Sequence, residues 1–297
     1  MTPSQAESVR YCGRTFSAEE LEVIRGLIVS NPQLTRNALS GVVCDQLGWL
    51  RPDGRRKDMS CRVAMLRMHR DGLITLPSPR LRTGGRKPPP RLTAASAPRE
   101  PLTVSDHTLH EIVLRPVDNR RDSSLWNELI ERYHYLGYQP LPGAQLRYLV
   151  WCGPDLLAAL GFGAAAWKVA PRDRFIGWSP QERQRNLHLI VNNARFLILP
   201  WIEARNLASR ILSLAAKRLP HDWQVRYGYK PVLLETFVER DRFRGTCYRA
   251  SNWISVGQTQ GRGKLDRQHR HSLPVKDILL YPLQKNFRRE LVDDTPP

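Results

Sequence analysis

Apolar residues recur at helical spacing three times before residue 72, and beyond residue 103 they fall into short runs and alternations that suit strands. The first helix is predicted from Ser17, where S-A-E-E sets Glu20 as the return partner of a capping box and Leu21, Ile24, Leu27 and Ile28 share one face, to about Asn31-Pro32. A second starts at Thr35, carries Leu39, Val42, Val43 and Leu47 on one side, and breaks at Gly48 and the Pro52-Asp53-Gly54 turn. The third runs from Asp58 to Arg70, with Met59, Val63 and Leu66 predicted inward, Arg62, Arg67, His69 and Arg70 outward, and Asp71-Gly72 as its stop. LITLP then reads as a short strand, followed by the basic stretch SPRLRTGGRK. Three helices, a strand and a basic loop make a winged-helix plan, in which the third helix enters a major groove; a three-helix protein-interaction module fits the same pattern.

From Pro77 to Pro101 the chain is rich in Pro, Gly, Ser and Arg and poor in large apolar residues, so a linker is predicted. The organisation expected is a winged-helix-like head over 1–78, a basic linker over 79–102 containing Arg86 and Lys87, and a larger domain over 103–297. In that domain HTLHEIVLRPV reads as a strand and LWNELIERYHYLG as an amphipathic helix; QLRYLVWCG and LLAALGFGAAAW form a hairpin around Pro154-Asp155. The polar helical piece SPQERQRN, the strand LHLIVNNARFLILP and the helix NLASRILSLAAKRL follow. After them come the strand PVLLETFVE, the short helix GTCYRASN and the strands WISVGQTQG and KDILLYPL. The predicted class is α+β, a mixed sheet flanked by helices and preceded by a small α domain.

Charge narrows the function. Lys and Arg number 46 against 28 Asp and Glu, a formal +18, and most of the cations are the arginines that suit phosphate forks. A polyanionic partner, bound through counterion release, is the expectation. No apolar run reaches the roughly 18 residues of a membrane span, and the first residues lack the layout of a secretory signal, so a cytoplasmic location is expected. The cysteines at 12, 44, 61, 152 and 247 are widely spaced, with no paired C-x-x-C, which argues against structural zinc and disulfides.

Several residues carry candidate chemistry. Glu235 stands within the apolar strand PVLLETFVE, where a carboxylate is either paired or functional, and Arg195 in VNNARFLIL is a candidate partner. Asn192 and its neighbour Asn193 present amides that read a base edge on one face of that strand while the other bonds inward. Tyr248 opens a short helix and offers a phenolic proton to a leaving group, or a ring packed on the sheet; Cys247 beside it is a candidate nucleophile or an inert buried thiol. From Arg242 to His271, seven Lys and Arg stand against one Asp. Among these, Arg244, Arg249, Arg262, Lys264 and Arg267 suit phosphates, and Trp253 suits base stacking. His269 and His271 lack an acidic third ligand at a set spacing, so no metal site is expected; Asp173, Glu235 and Asp266 supply the number but not the placement of a metal nuclease triad.

The element order, with a hairpin before a long central strand and Y-R-A-S-N-W-I-S-V-G near the end, resembles the GNAT acyltransferase fold, in which Tyr248 takes the place of the proton donor. That fold implies acetyl-CoA on a Q/R-x-x-G-x-G/A loop, and here the matching stretch P-W-I-E-A-R-N-L-A-S has no glycine. More specifically, HYLGYQPLPGAQLRYLV, LGFGAAAWKVAPRDRFIGW, VNNARFLILPW, NLASRIL, PVLLETFVE, FRGTCYRASNWISVGQTQGRG and KDILLYPL resemble the Druantia anti-phage protein DruA family over about 108–291. The resemblance implies a role in anti-phage defence or mobile-element biology with DNA as the partner, and leaves open a helicase or other system subunit beside it and an oligomer. No cofactor is expected on the binding reading. A strand-cleaving or base-modifying enzyme centred on Tyr248 and Glu235, with a divalent metal if a nuclease, and an acyltransferase using acetyl-CoA are the alternatives.

Overall fold

A computed structural model describes residues 8–51, 54–78, 89–261 and 273–292, which fall into two compact units, 1–87 and 88–297. In the first unit a hairpin of β1 (Val9–Tyr11) and β2 (Arg14–Phe16) precedes three helices, α1 (Ala18–Ser30), α2 (Arg36–Gln46) and α3 (Asp58–Arg70). Cys12 and Gly13 turn the hairpin in left-handed conformations, φ 50° and 81°. The capping box at Ser17 forms as its residues predict, and Thr35 caps α2 through the amide of Ala38. Phe16, Ile24, Leu39, Val43, Trp49, Met65 and Met68 build the core.

Two expectations for this unit are corrected. Residues 73–77 form no strand, although Ile74 and Leu76 are buried, so the winged-helix plan lacks its predicted strand among the described residues. α3 is also rotated from its predicted phase. Cys61, Ala64, Met65 and Met68 are buried while Met59 and Val63 are exposed, because small and soft side chains let α3 lie close against α2. Arg67 and Arg70 remain exposed, and Arg62, half-buried, donates to Asn37 Oδ1 at 2.7 Å.

The second unit reads β3 (Leu102–Thr103), β4 (Ile112–Pro116), α4 (Arg120–Tyr133), β5 (Leu146–Cys152), β6 (Asp155–Ala164), α5 (Ala170–Ile176), α6 (Pro180–Asn186) and β7 (Ile190–Ile198). It continues with β8 (Ile202–Glu203), α7 (Leu207–Tyr227), β9 (Leu233–Glu239), α8 (Thr246–Ala250), β10 (Ile254–Gln258), β11 (Lys276–Pro282) and α9 (Phe287–Val292). Seven strands form one mixed sheet in the order β10-β11-β9-β7-β6-β5-β4, the α+β arrangement expected. α7 covers one face through Ile211, Leu212, Ala215, Leu219 and Trp223. The other face is covered by α4, through Trp126, Leu129 and Ile130, and by a second cluster that joins Ile176 and Phe287 to Leu233 and Ile278.

Two local expectations also change here. Only Ile112–Pro116 of HTLHEIVLRPV is strand, preceded by a 3-10 turn over Asp106–Glu111. The stretch predicted as linker is docked over its later part: Glu128 accepts from the Thr93 amide and hydroxyl, each at 2.7 Å, and from Ser96 Oγ at 3.0 Å. Leu102–Thr103 then pairs parallel with β8. A buried carboxylate with three donors orders a segment that has little apolar surface of its own.

Candidate functional site: a cleft where the sheet divides

All neighbouring strands of the large sheet are antiparallel except β7 and β9, which run parallel. Their pairing spans only Ile190–Leu233, Val191–Leu234 and Asn192–Glu235, although β7 continues to Ile198 and β9 to Glu239. Each strand keeps its outer neighbour beyond that point, β6 for β7 and β11 for β9, so the sheet opens between them. Thr236 Oγ1 donates to the Asn193 carbonyl at 3.1 Å, a side chain standing where the next backbone bond would be. On its other edge β7 carries a bulge: Phe162 faces Asn193 and Gly161 faces Arg195, with Ala194 extra. Gly161 is required there, because a Cβ would lie 2.8 Å from Trp126 Cζ2 and 3.3 Å from Arg195 Cβ.

The opening is a cavity of about 550 Å3. β7 supplies Asn192 through Ile198 and β9 supplies Thr236 through Glu239; the stretch after α4 supplies His134, Tyr135 and Leu136, and Phe243 to Tyr248 close another side. Ala208 of α7 and Lys276 of β11 complete it.

Tyr248 sits on the wall, 8% exposed, and its hydroxyl donates to Asn193 Oδ1 at 2.7 Å. The Asn193 amide nitrogen in turn donates to the carbonyls of Arg195, at 3.2 Å, and Gly161, at 3.4 Å, so the acceptor offered to the phenol is fixed by the bulge. Burial pushes the phenol well above its ordinary range. A phenol held protonated suits proton donation, and it is poorly placed to act as an anionic nucleophile. Cys247, also on the wall, is pushed upward by burial, so the thiol form is favoured over the thiolate expected of a helix N-terminus.

Arg195 and His134 share the cavity. Burial lowers Arg195 from its ordinary value, and its Nη1 donates to the Ala194 carbonyl at 2.7 Å. Burial, with Arg195 adding repulsion, lowers His134 to about 4, so the ring is neutral near pH 7. Its Nδ1 accepts the Leu136 amide at 3.2 Å, which leaves the proton on Nε2. His134 stacks on Tyr135 with centroids 4.9 Å apart, Phe243 meets Tyr135 edge-on at 5.2 Å, and the Arg242 guanidinium lies 5.1 Å from the Tyr135 centroid. Glu239, the one carboxylate among the described residues of the lining, accepts from Arg242 Nε at 3.4 Å.

The cavity thus gathers Tyr248, Cys247, Asn192, Arg195 and Arg244 of the residues predicted from sequence. Arg249 is exposed on α8 and donates to the Arg244 carbonyl. Trp253 is buried against Tyr248 and Tyr281, centroids 5.1 and 5.7 Å away, which corrects the expectation of a base-stacking ring. Glu235 is corrected in its partner: it lies fully buried outside the cavity lining and pairs with Arg172 at 2.7 Å in place of Arg195. Burial raises its carboxyl, while Arg172 and the Ala166 amide pull it back. Asp173 also binds Arg172, at 2.8 Å. Arg86, Lys87, Arg262, Lys264, Arg267, Asp266, His269 and His271 lie outside the described residues. Sequence reasoning missed His134, Tyr135, Phe243 and Lys276. The first two stand in HYLGYQPLPGAQLRYLV, a stretch singled out only for its resemblance.

Residues 68–271, more than half of the chain, match the family model described as Druantia protein DruA. Among solved structures, the chain is similar to FeeM, an N-acyl amino acid synthase from uncultured soil microbes, at 12% identity and TM-score 0.37, covering 61% of this chain and 94% of that one. A polyamine N-acetyltransferase of Drosophila melanogaster matches at 10% identity and TM-score 0.36, over 58% of this chain and 99% of its own. An N-acetyltransferase of Staphylococcus aureus Mu50 matches at 11% identity and TM-score 0.34, over 58% and 97%. A comparison with curated proteins gives no match.

Proposed function

Given that this chain belongs to the Druantia protein DruA family, we propose that it binds DNA in anti-phage defence or mobile-element biology, with the divided sheet of its larger unit as a principal contact. One observation carries the reading. The cleft is lined by Arg195, Arg244 and Lys276 against, among the described residues, a single carboxylate, Glu239, which Arg242 already engages. Such a cleft focuses positive potential on its opening, in a chain whose formal charge is +18. Exposed Arg67 and Arg70 on α3 offer the smaller unit a phosphate contact of its own.

The test is fluorescence anisotropy of labelled single- and double-stranded DNA across a salt series. Binding is expected to weaken linearly in log–log form, with the slope set by the phosphates neutralised. The paired substitution Arg244→Ala with Lys276→Ala should reduce that slope by about two. Absent binding, or affinity indifferent to salt, overturns the reading.

Acyl transfer is a second reading with one observation in its favour. Asn206 takes a left-handed conformation, φ 55°, immediately before the long helix α7, and so supplies without glycine the backbone turn that an anion-binding helix start uses. Ala208 of that first turn lines the cavity. Acetyl-CoA should then raise the melting temperature, with a shift that keeps growing as the logarithm of its concentration above the dissociation constant; no shift at millimolar ligand removes the reading.

A further inference from the structure

We infer that Trp167 is a stacking platform for an unpaired base of a DNA strand, on a surface outside the lining of the cleft. The inference rests on the DNA-binding reading and adds to it where a base, as distinct from a phosphate, is met. Of the eight tryptophans six are buried, Trp151 is half-buried, and Trp167 alone is exposed, at 55%. It lies between β6 and α5 and takes no part in the cleft wall.

Single exposed apolar side chains are common, and what sets this one apart is how it is held. Ahead of it, the Ala166 amide donates to Glu235 Oε1 at 2.8 Å and the Ala166 carbonyl accepts from Arg172 Nη1 at 2.7 Å, both partners being fully buried. Behind it, Val169 is buried and its amide donates to Asp173 Oδ2 at 3.3 Å. Arg183, its side chain 13% exposed, donates to the same oxygen at 3.2 Å and sets its guanidinium over the Trp167 ring, 5.8 Å from the centroid. Two backbone anchors and a held cation thus present the indole to water, so a partner that stacks on it has no loop to order.

The surrounding charge names the partner. Residues 165–186 hold five Lys and Arg against two carboxylates. Both carboxylates are engaged within the fold, Asp173 by Arg172 and Arg183, and Glu182 by the Ser179 amide in the capping box of α6. Lys168, next to Trp167, and Arg174 are exposed. An exposed aromatic face among cations fits a polyanion that carries flat rings, with a base on the indole and a phosphate on Lys168. Bases inside a duplex are already stacked on both sides, so the platform favours an unpaired strand.

The experiment compares the full chain, by anisotropy at fixed salt, on labelled oligothymidine, on an abasic strand of the same length and charge, and on a matched duplex. Oligothymidine is expected to bind about tenfold more tightly than the abasic strand, the effect of one stacked base. In Trp167→Ala that ratio should fall toward one while duplex affinity and the salt slope stay as in the parent chain, since no phosphate contact is lost. Trp167→Phe keeps an aromatic face and should retain most of the ratio; Lys168→Ala should leave the ratio and lower the salt slope by about one. The ring is exposed, so melting temperatures of both Trp167 variants should match the parent chain. A parent ratio near one, a ratio unchanged in Trp167→Ala, or an equal loss on all three ligands overturns this inference and leaves the DNA-binding reading standing. No binding to any DNA overturns both.

Discussion

Glu235 and Arg172 face each other at 2.7 Å with both side chains fully buried, at the last position where β7 and β9 remain paired. The loop after β6 is tied to the same point, since the Ala166 amide donates to the other carboxylate oxygen at 2.8 Å and its carbonyl accepts from Arg172 Nη1 at 2.7 Å. Arg172 continues to Asp173, Asp173 to Arg183 at 3.2 Å, and Arg183 lies over the exposed ring of Trp167. The pair therefore closes the joined part of the sheet and fixes where the opening begins. Its role is positional, because it lies outside the cavity that it bounds.

Removing one partner leaves an uncompensated buried charge. Glu235→Ala is expected to cost about 3 kcal/mol, the lower end for a broken buried pair, because Asp173 still holds Arg172. Replacing both residues by methionine should recover most of that loss. Urea denaturation of the two single variants and the double variant checks this, and strictly additive losses would contradict it.

Tyr248→Phe removes the donor to Asn193 Oδ1 and leaves that buried acceptor unmet. A loss of about 1–3 kcal/mol is expected, with little change in the m-value because the ring still packs on Trp253 and Phe196. Asn193→Asp should cost more, since it brings a buried carboxylate against the phenol.

His134 gives the molecule an acid-sensitive element. The unfolded chain takes up a proton below about 6.5 whereas the folded ring does so only near 4, so stability should fall as the pH drops between those values. Allowing for partial exposure, the loss is about 1–2 kcal/mol. His134→Gln should flatten the stability profile over that window, as measured by denaturant midpoints from pH 7 to pH 4.5.

Gly161→Ala drives a methyl into Trp126, which cannot retreat: its ring is buried and its Nε1 donates to the Leu160 carbonyl at 2.9 Å. Overpacking of about 1–3 kcal/mol is expected. The same methyl presses on Arg195 from behind, so DNA affinity measured at low salt should also fall.

Glu128→Ala should free residues 93–96 from α4, since it removes three hydrogen bonds at once. Limited proteolysis is expected to cut between 89 and 102 faster than in the parent chain while the sheet domain stays resistant. Equal cleavage rates would mean that Tyr133 and Arg132, which both bond the Ser96 carbonyl, suffice to hold the segment.

Periodicity, caps and turn residues act within a few positions of one another, and so the order of the sheet's seven strands and of α4, α6, α7 and α8 was legible in the residues alone, whereas α5, α9 and the short strands β3 and β8 were not. The same local logic placed Asn192, Arg195, Arg244, Cys247 and Tyr248 among the candidates, because polar groups in apolar strands and a tyrosine opening a short helix stand out in a linear reading. It failed where a choice depends on what lies opposite. The phase of α3 follows from the close approach of α2 to Cys61, Ala64 and Met65, and the partner of Glu235 comes from α5, 63 positions away. The division of the sheet is likewise a tertiary fact. Nothing in VNNARFLIL or PVLLETFVE marks where two parallel strands part, since that point is set by the bulge against Gly161, by the Arg172 clamp and by the aromatic residues that fill the mouth from elsewhere in the chain.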